Sequence, residues 1–250
     1  MIVLKTKREL DLMREACRIS ANALKMAGEA VEPGVSTWEI DNIVRKYIQE
    51  QGAKPSFLGY GGFPASACIS VNNVVIHGIP SKKQILKSGD IVSVDVGAFI
   101  DGFHGDNAYT FACGDISAEA RALLDATEEC LYLGIKQAVA GNRIGDIGNA
   151  VQSYAEERSY SVVRDFVGHG VGAKLHEDPS VPNYGTAGRG VRLLPGMTIA
   201  IEPMITAGNY AVKVLDDDWT TVTVDGSLAA HFEHTIAITP NGPVIMTISD

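Results

Sequence analysis

Two kinds of hydrophobic pattern alternate along this chain, and they come in the same order twice. Thr6-x-x-Glu9 has the form of a capping box, in which side chains at a helix start satisfy free backbone N–H groups. It predicts a helix running to about Lys25. The turn VEPGVS follows, and Ser36-x-x-Glu39 opens a second predicted helix that ends near Gly52. Short apolar runs broken by glycine come next and read as strands: ACISV, VVIHG, IVSVDVGAFI and FHGDNAYTF. Around Ser117 the helical pattern returns, to about Ala140. A Gly-Asn turn leads to another predicted helix over 146–158. Strands then resume at SVVRDFVG, MTIAIEPMI, TVTVD and HFEHTIAIT.

The second pass matches the first in register. A shift of 107 residues carries Gly34 onto Gly141, Ile40 onto Ile147, Asn42 onto Asn149, Val44 onto Val151 and Gly89 onto Gly196. It also carries Asp95, in the middle of one apolar run, onto Glu202 in another. The unit is too long for a solenoid repeat. It predicts one domain, residues 1–250, built from two pseudo-symmetric halves, about 1–115 and 116–250. The expected class is α+β, with helices outside a curved antiparallel sheet and a site at the junction of the halves.

A carboxylate inside a strand is disfavoured, because an unpaired buried charge costs several kcal/mol. Two such residues at matching positions point to a shared cation. Asp106 lies across a hairpin signalled by Asp101-Gly102 and is expected to face Asp95. Glu233 lies in a later strand, and His169 in the turn-rich GHGVG. Taken singly, Asp106 reads equally as a turn acid, His169 as a satisfied turn histidine and Glu233 as a partner for a lysine. Together they would repel one another without a counter-ion. Carboxylates with one imidazole suit Mn, Fe(II), Co or Zn, and two divalent metal ions sharing a hydroxide make a hydrolytic centre.

Composition narrows the field. The chain has 250 residues, 46% of them hydrophobic and 20% charged, which fits a soluble globular protein. A net charge of −9 argues against a broad nucleic-acid surface. The basic run Lys5, Lys7, Arg8 reads as the solvated face of a helix. Four scattered cysteines form no C-x-x-C pair, so no zinc knuckle or thioredoxin-type site is indicated, and a reducing compartment fits. No signal-peptide pattern opens the chain, and no segment reads as membrane-spanning. Neither GHGVG nor GYGGF completes a nucleotide-binding loop, and H-E-x-x-H is absent.

The stretches VVIHGIP, VDVGAFIDGFHGD, GHGVGAKLHEDP, PGMTIAIEPM and FEHTIAIT resemble those of the bacterial-type (type I) methionine aminopeptidases, over essentially the whole chain. The resemblance implies the pita-bread fold. It implies two metals held by Asp95, Asp106, His169, Glu202 and Glu233, with Asp106 and Glu233 bridging. It makes Glu202 the proton shuttle. It assigns His77 and His176 to substrate contact and catalysis, and Tyr60, Phe63, Cys68, Leu175 and Trp219 to a methionine side-chain pocket whose mouth Phe57 shapes. It further implies cytoplasmic action on nascent polypeptide N-termini near the ribosome. A monomer is the default expectation, and composition argues against nucleic-acid or membrane partners.

Three positions differ from the family pattern and bear on pocket shape and fine preference. Asn73 replaces a common Glu, His231 a usual Gln, and Leu175 the Phe of some members. An X-Pro peptidase would carry the same five ligands, usually behind an added N-terminal domain. Type II methionine aminopeptidases carry an insertion for which there is no room here. A non-enzymatic relative would have lost ligands. His104 is expected to be a turn residue or a hydrogen-bonding support. His234 should face away from Glu233, and His231 should share its face as a support for the metal ligands.

Overall fold

A computed structural model describes residues 1–250. The first half of the chain carries α1 (Lys7–Glu29), α2 (Thr37–Glu50), β1 (Lys54–Pro55), β2 (Ala67–Val71), β3 (Val74–Ile76), β4 (Ile91–Ile100) and β5 (Phe103–Ala112). The second carries α3 (Ala118–Gln137), α4 (Ile144–Glu157), β6 (Ser161–Val162), β7 (Gly168–Gly170), β8 (Glu177–Val181), β9 (Thr198–Ile201), β10 (Met204–Thr206), β11 (Val212–Val214), β12 (Thr221–Thr223), β13 (Ala229–His231), β14 (Glu233–Thr239) and β15 (Gly242–Ile245).

The helix starts follow the capping chemistry. The Glu9 carboxylate accepts the Thr6 N–H at 2.7 Å, and the Glu39 carboxylate accepts the Ser36 N–H at 2.8 Å. At the start of α4, Asp146 accepts the Arg143 N–H at 2.7 Å. Such a cap stabilises a helix by about 1 kcal/mol. The 107-residue offset survives in the backbone. α2 and α4 begin and end at equivalent positions, and Gly34 N–H donates to Leu86 O just as Gly141 N–H donates to Leu193 O. Gly34 and Gly141 both have positive φ, 95° and 102°, which glycine adopts without steric penalty.

One nine-stranded antiparallel sheet runs through both halves in the order β1-β4-β5-β14-β9-β7-β8, with β2 on β4 and β15 on β14. Asp101 (φ 52°) and Gly102 (φ 85°) make the tight turn joining β4 to β5. Helices cover the back of the sheet over two apolar cores. Ile19, Ile40, Val44, Val92 and Val94 belong to one, and Leu123, Ile147, Ile199, Phe232 and Ile236 to the other. α1 lies close against β5. A Cβ on Gly105 would come within 2.5 Å of the Cys17 backbone.

The structure departs from the pattern at several points, and MTIAIEPMI is one of them: it splits at Glu202–Pro203 into β9 on the large sheet and β10 on a small one. SVVRDFVG is not one strand: only Ser161–Val162 and Gly168–Gly170 pair, with a loop between. HFEHTIAIT breaks at Phe232, where the chain leaves a small sheet with β10 and joins the large one beside β5. His231 and Glu233 therefore sit on different sheets. Lys5 is not on a solvated face: its side chain is 3% exposed, and its Nζ lies 2.6 Å from Glu177 Oε2.

Candidate metal centre

The register of the sheet explains how the carboxylates meet. Cys68 pairs with Asp95, Asp95 with Ala108, and Ala108 with Glu233, so four strands place these residues in one row. Adjacent strands are about 5 Å apart, and residues in one row share a face. Ala108, a small residue, stands between Asp95 and Glu233 in that row. Asp106 stands two residues along β5 on the same face. It pairs with Gly97, so it lies diagonal to Asp95 rather than directly opposite. The pairing of His234 with Ile201 sets Glu202, just beyond β9, beside Glu233.

His169 completes the cluster from β7, a three-residue strand and not a turn. Its Nε2 lies 3.8 Å from Asp106 Oδ2 and 3.6 Å from Glu202 Oε1. Its Nδ1 is 2.8 Å from Gly170 O, a carbonyl that can only accept. The ring proton therefore sits on Nδ1, and Nε2 offers a lone pair to the cluster. Ligand atoms of Asp106, His169 and Glu233 all fall within 4.8 Å of one another.

Burial dominates the electrostatics. It holds Asp95, Glu202 and Glu233 well above the usual carboxylate range, and their mutual repulsion adds to the effect. Burial pushes Asp106 up to about 7. It pushes His169 down to about 4, leaving the ring neutral at pH 7. Asp95 Oδ1, Asp106 Oδ1 and Glu233 Oε1 are buried without a hydrogen-bond partner. Orphaned carboxylate oxygens around one neutral imidazole fit divalent cations such as Mn, Fe(II), Co or Zn.

One cavity of about 180 Å³ opens onto this cluster. Its walls include all thirteen residues that the resemblance assigns to the metals, to catalysis or to the pocket. Tyr60, Phe63, Cys68, Leu175 and Trp219 make its apolar side, with Phe57 beside them. His77 follows β3 with a positive φ of 58°. Its ring stands edge-on to Phe166 and Trp219, with centroids 5.6 and 6.0 Å away. The long segment between Glu202 and Glu233 explains that position. Its strand β12, paired on one edge with β11, pairs on the other with β3 (Thr221 opposite Ile76), bringing Trp219 beside His77. Burial lowers the His77 pKa to about 4 and also lowers that of His176.

Of the other neighbours, Ile76, Phe166, Val167 and Asn183 have no signal in the sequence, whereas His231, His104 and His234 are singled out there. Ile76, Phe166 and Val167 also line the cavity. Asn183 donates from Nδ2 to Glu202 O at 2.9 Å. His231 Nε2 is buried, unpartnered and 3.6 Å from Glu202 Oε2. His104 is in β5 and not in a turn, with Nδ1 2.9 Å from Ser56 Oγ. His234 does face the other side, 2.8 Å from Thr247 Oγ1.

Residues 11–240 match the sequence pattern of metallopeptidase family M24. The chain belongs to that family. The metallopeptidase is 55% identical over 248 residues to a methionine aminopeptidase of Clostridium perfringens, covering 99% of each chain. It is 53% identical over 247 residues to methionine aminopeptidase 1 of Bacillus subtilis, again covering 99% of each. A methionine aminopeptidase structure from Thermotoga maritima superposes with a TM-score of 0.97 at 46% identity, covering 99% of both chains. The prolidase of Pyrococcus horikoshii shares the fold at a TM-score of 0.81, with 24% identity and 65% of its own chain covered. The metallopeptidase thus has the pita-bread fold expected from its sequence, and it is a metal-dependent aminopeptidase.

Proposed function

We propose that this metallopeptidase removes methionine from the N-termini of nascent proteins and peptides whose second residue is small. The observation that carries the reading is a cavity that is apolar along one wall and ends on buried, unpartnered carboxylates. An unbranched thioether fits such a wall, and the scissile bond would lie over the cluster. The names of the relatives at 53% to 55% identity support the same substrate.

Asp95, Asp106, His169, Glu202 and Glu233 would hold two divalent cations, with Asp106 and Glu233 shared between them. When bound, such ions supply an activated water and polarise a carbonyl. Glu202 would take a proton from water and deliver it to the leaving amine. His176 would donate a hydrogen bond to the developing oxyanion. His77, held by Phe166 and Trp219, would steady the scissile nitrogen or the residue after it. Asp95 would face the free α-amine, so acylated chains are excluded. The close wall around His77 would keep the second residue small.

The reading extends to a cytoplasmic monomer that meets new chains transiently at the ribosome. All four cysteines are free and buried, which supports a reducing compartment. No helix is long and apolar enough to cross a membrane. A peptide panel varying the first two positions tests the substrate. Met-Ala and Met-Gly peptides should be cleaved, norleucine accepted moderately, and Lys- or Glu-initiated peptides refused, since burying an unpaired charge is far costlier than losing a methylene. Efficient cleavage of X-Pro peptides regardless of X would replace methionine removal with a prolidase-type activity.

A further inference from the structure

Tyr60 does more than line the apolar wall. Its hydroxyl lies 2.7 Å from Nδ1 of His176, and the two rings stand 5.2 Å apart between centroids. The contact joins segments 116 residues apart in sequence. Tyr60 is carried on a single tight helical turn, Tyr60–Gly62, entered through Gly59. Gly59, Gly61 and Gly62 all have positive φ (83°, 55° and 93°), a backbone path that other residues adopt only under strain. A Cβ on Gly61 would come within 3.2 Å of the Trp219 ring, so this turn also packs on the far wall of the cavity.

We propose that Tyr60 is a positioning residue that fixes the tautomer and orientation of His176, an assignment that rests on the methionine-removal reading for its catalytic consequence. The chemistry follows from which group donates. A phenol is the stronger donor, and an unprotonated imidazole nitrogen is the stronger acceptor. With Tyr60 O–H donating to Nδ1, the ring proton of neutral His176 resides on Nε2. Nε2–H is then the donor left for the substrate carbonyl, which is the state an oxyanion donor needs. The opposite tautomer would present a lone pair to a developing negative charge. Because Tyr60 also lines the cavity, a methionine bound there would press on the turn that holds His176 in place. Side-chain recognition and carbonyl polarisation would then share one residue.

The test uses Tyr60→Phe, which keeps the ring and removes only the hydroxyl. Long-range proton–nitrogen spectra of histidine-labelled protein, metal-free and zinc-loaded, report the His176 tautomer directly. The wild type should show protonated Nε2, and Tyr60→Phe should lose that signature in part. With Met-Ala peptides, kcat should fall about 2- to 10-fold, the scale of one net hydrogen bond, with KM nearly unchanged. In a His176→Ala background, Tyr60→Phe should have no further effect on kcat. An unchanged nitrogen spectrum in Tyr60→Phe would overturn the assignment. So would a rise in KM with kcat intact, or an equal loss of kcat without His176. The spectra need no substrate, so they decide the role of Tyr60 even where methionine removal fails.

Discussion

Replacing Lys5 by methionine should destabilise the fold, although Lys5 lies in an N-terminal segment that reads as solvated. Its Nζ is 2.6 Å from Glu177 Oε2, with side-chain exposures of 3% and 9%. Glu177 Oε1 also accepts the Lys174 N–H at 3.1 Å. Lys5→Met keeps the length of the stem and leaves the Glu177 charge buried with only backbone N–H partners. Breaking a buried pair costs about 3–5 kcal/mol, and the remaining N–H bonds and partial exposure argue for the low end, about 3 kcal/mol. For a chain of 250 residues that is a fall in Tm of about 6–12 °C. The double variant Lys5→Met, Glu177→Met should recover most of it, because no charge is then stranded. Burial alone would raise the Glu177 pKa, but hydrogen bonds from Lys5 and the Lys174 N–H bring it below the usual range. A carboxylate depressed in the folded state contributes stability above its unfolded pKa, about 4.3, and loses that contribution as pH falls through the lower folded value. The gap between wild type and Lys5→Met should therefore be widest near pH 7 and close below about pH 4. Thermal melts at matched metal loading measure it. A gap under about 2 °C at pH 7, or one that ignores pH, would refute the buried-pair argument.

Three further predictions concern packing and the surroundings of Glu202. Gly105→Ala should destabilise by about 1–3 kcal/mol in denaturant melts, because the new methyl meets Cys17 backbone that cannot swing aside. Gly102→Ala, with open space around it and only a positive φ to strain, should cost about 1 kcal/mol. His231→Leu removes the buried nitrogen 3.6 Å from Glu202 Oε2 and should weaken metal affinity about 10- to 100-fold by calorimetry, with the melt of the metal-free protein little changed.

Local chemistry made much of the fold legible. Asp101-Gly102 needs two positive-φ residues, so its hairpin could be read directly, and with it the pairing that places Asp95 near Asp106. The capping boxes marked α1 and α2 for the same reason. The 107-residue offset carried the duplication and the equivalence of Asp95 with Glu202. Long-range pairing was not legible. β7 is too short and too rich in glycine to show a period, so His169 read as a turn residue. Lys5 finds its partner 172 residues away, and no spacing rule reaches that far. The break at Phe232 divides one continuous apolar run between two sheets, and alternation alone cannot reveal which strand each part joins. Phe166 and Asn183 reach the site from loops, where side-chain direction follows no period.

Metal titration of chelator-stripped protein, with turnover of a Met-Ala peptide followed at each addition of Mn(II) or Co(II), tests the central claim most directly. The account predicts no turnover without metal, activity rising with the first additions, and binding that reaches two equivalents. It also predicts that Asp106→Ala loses both binding and activity. Turnover that persists in the stripped protein, or an Asp106→Ala variant that keeps two metals and near-normal rates, would contradict it.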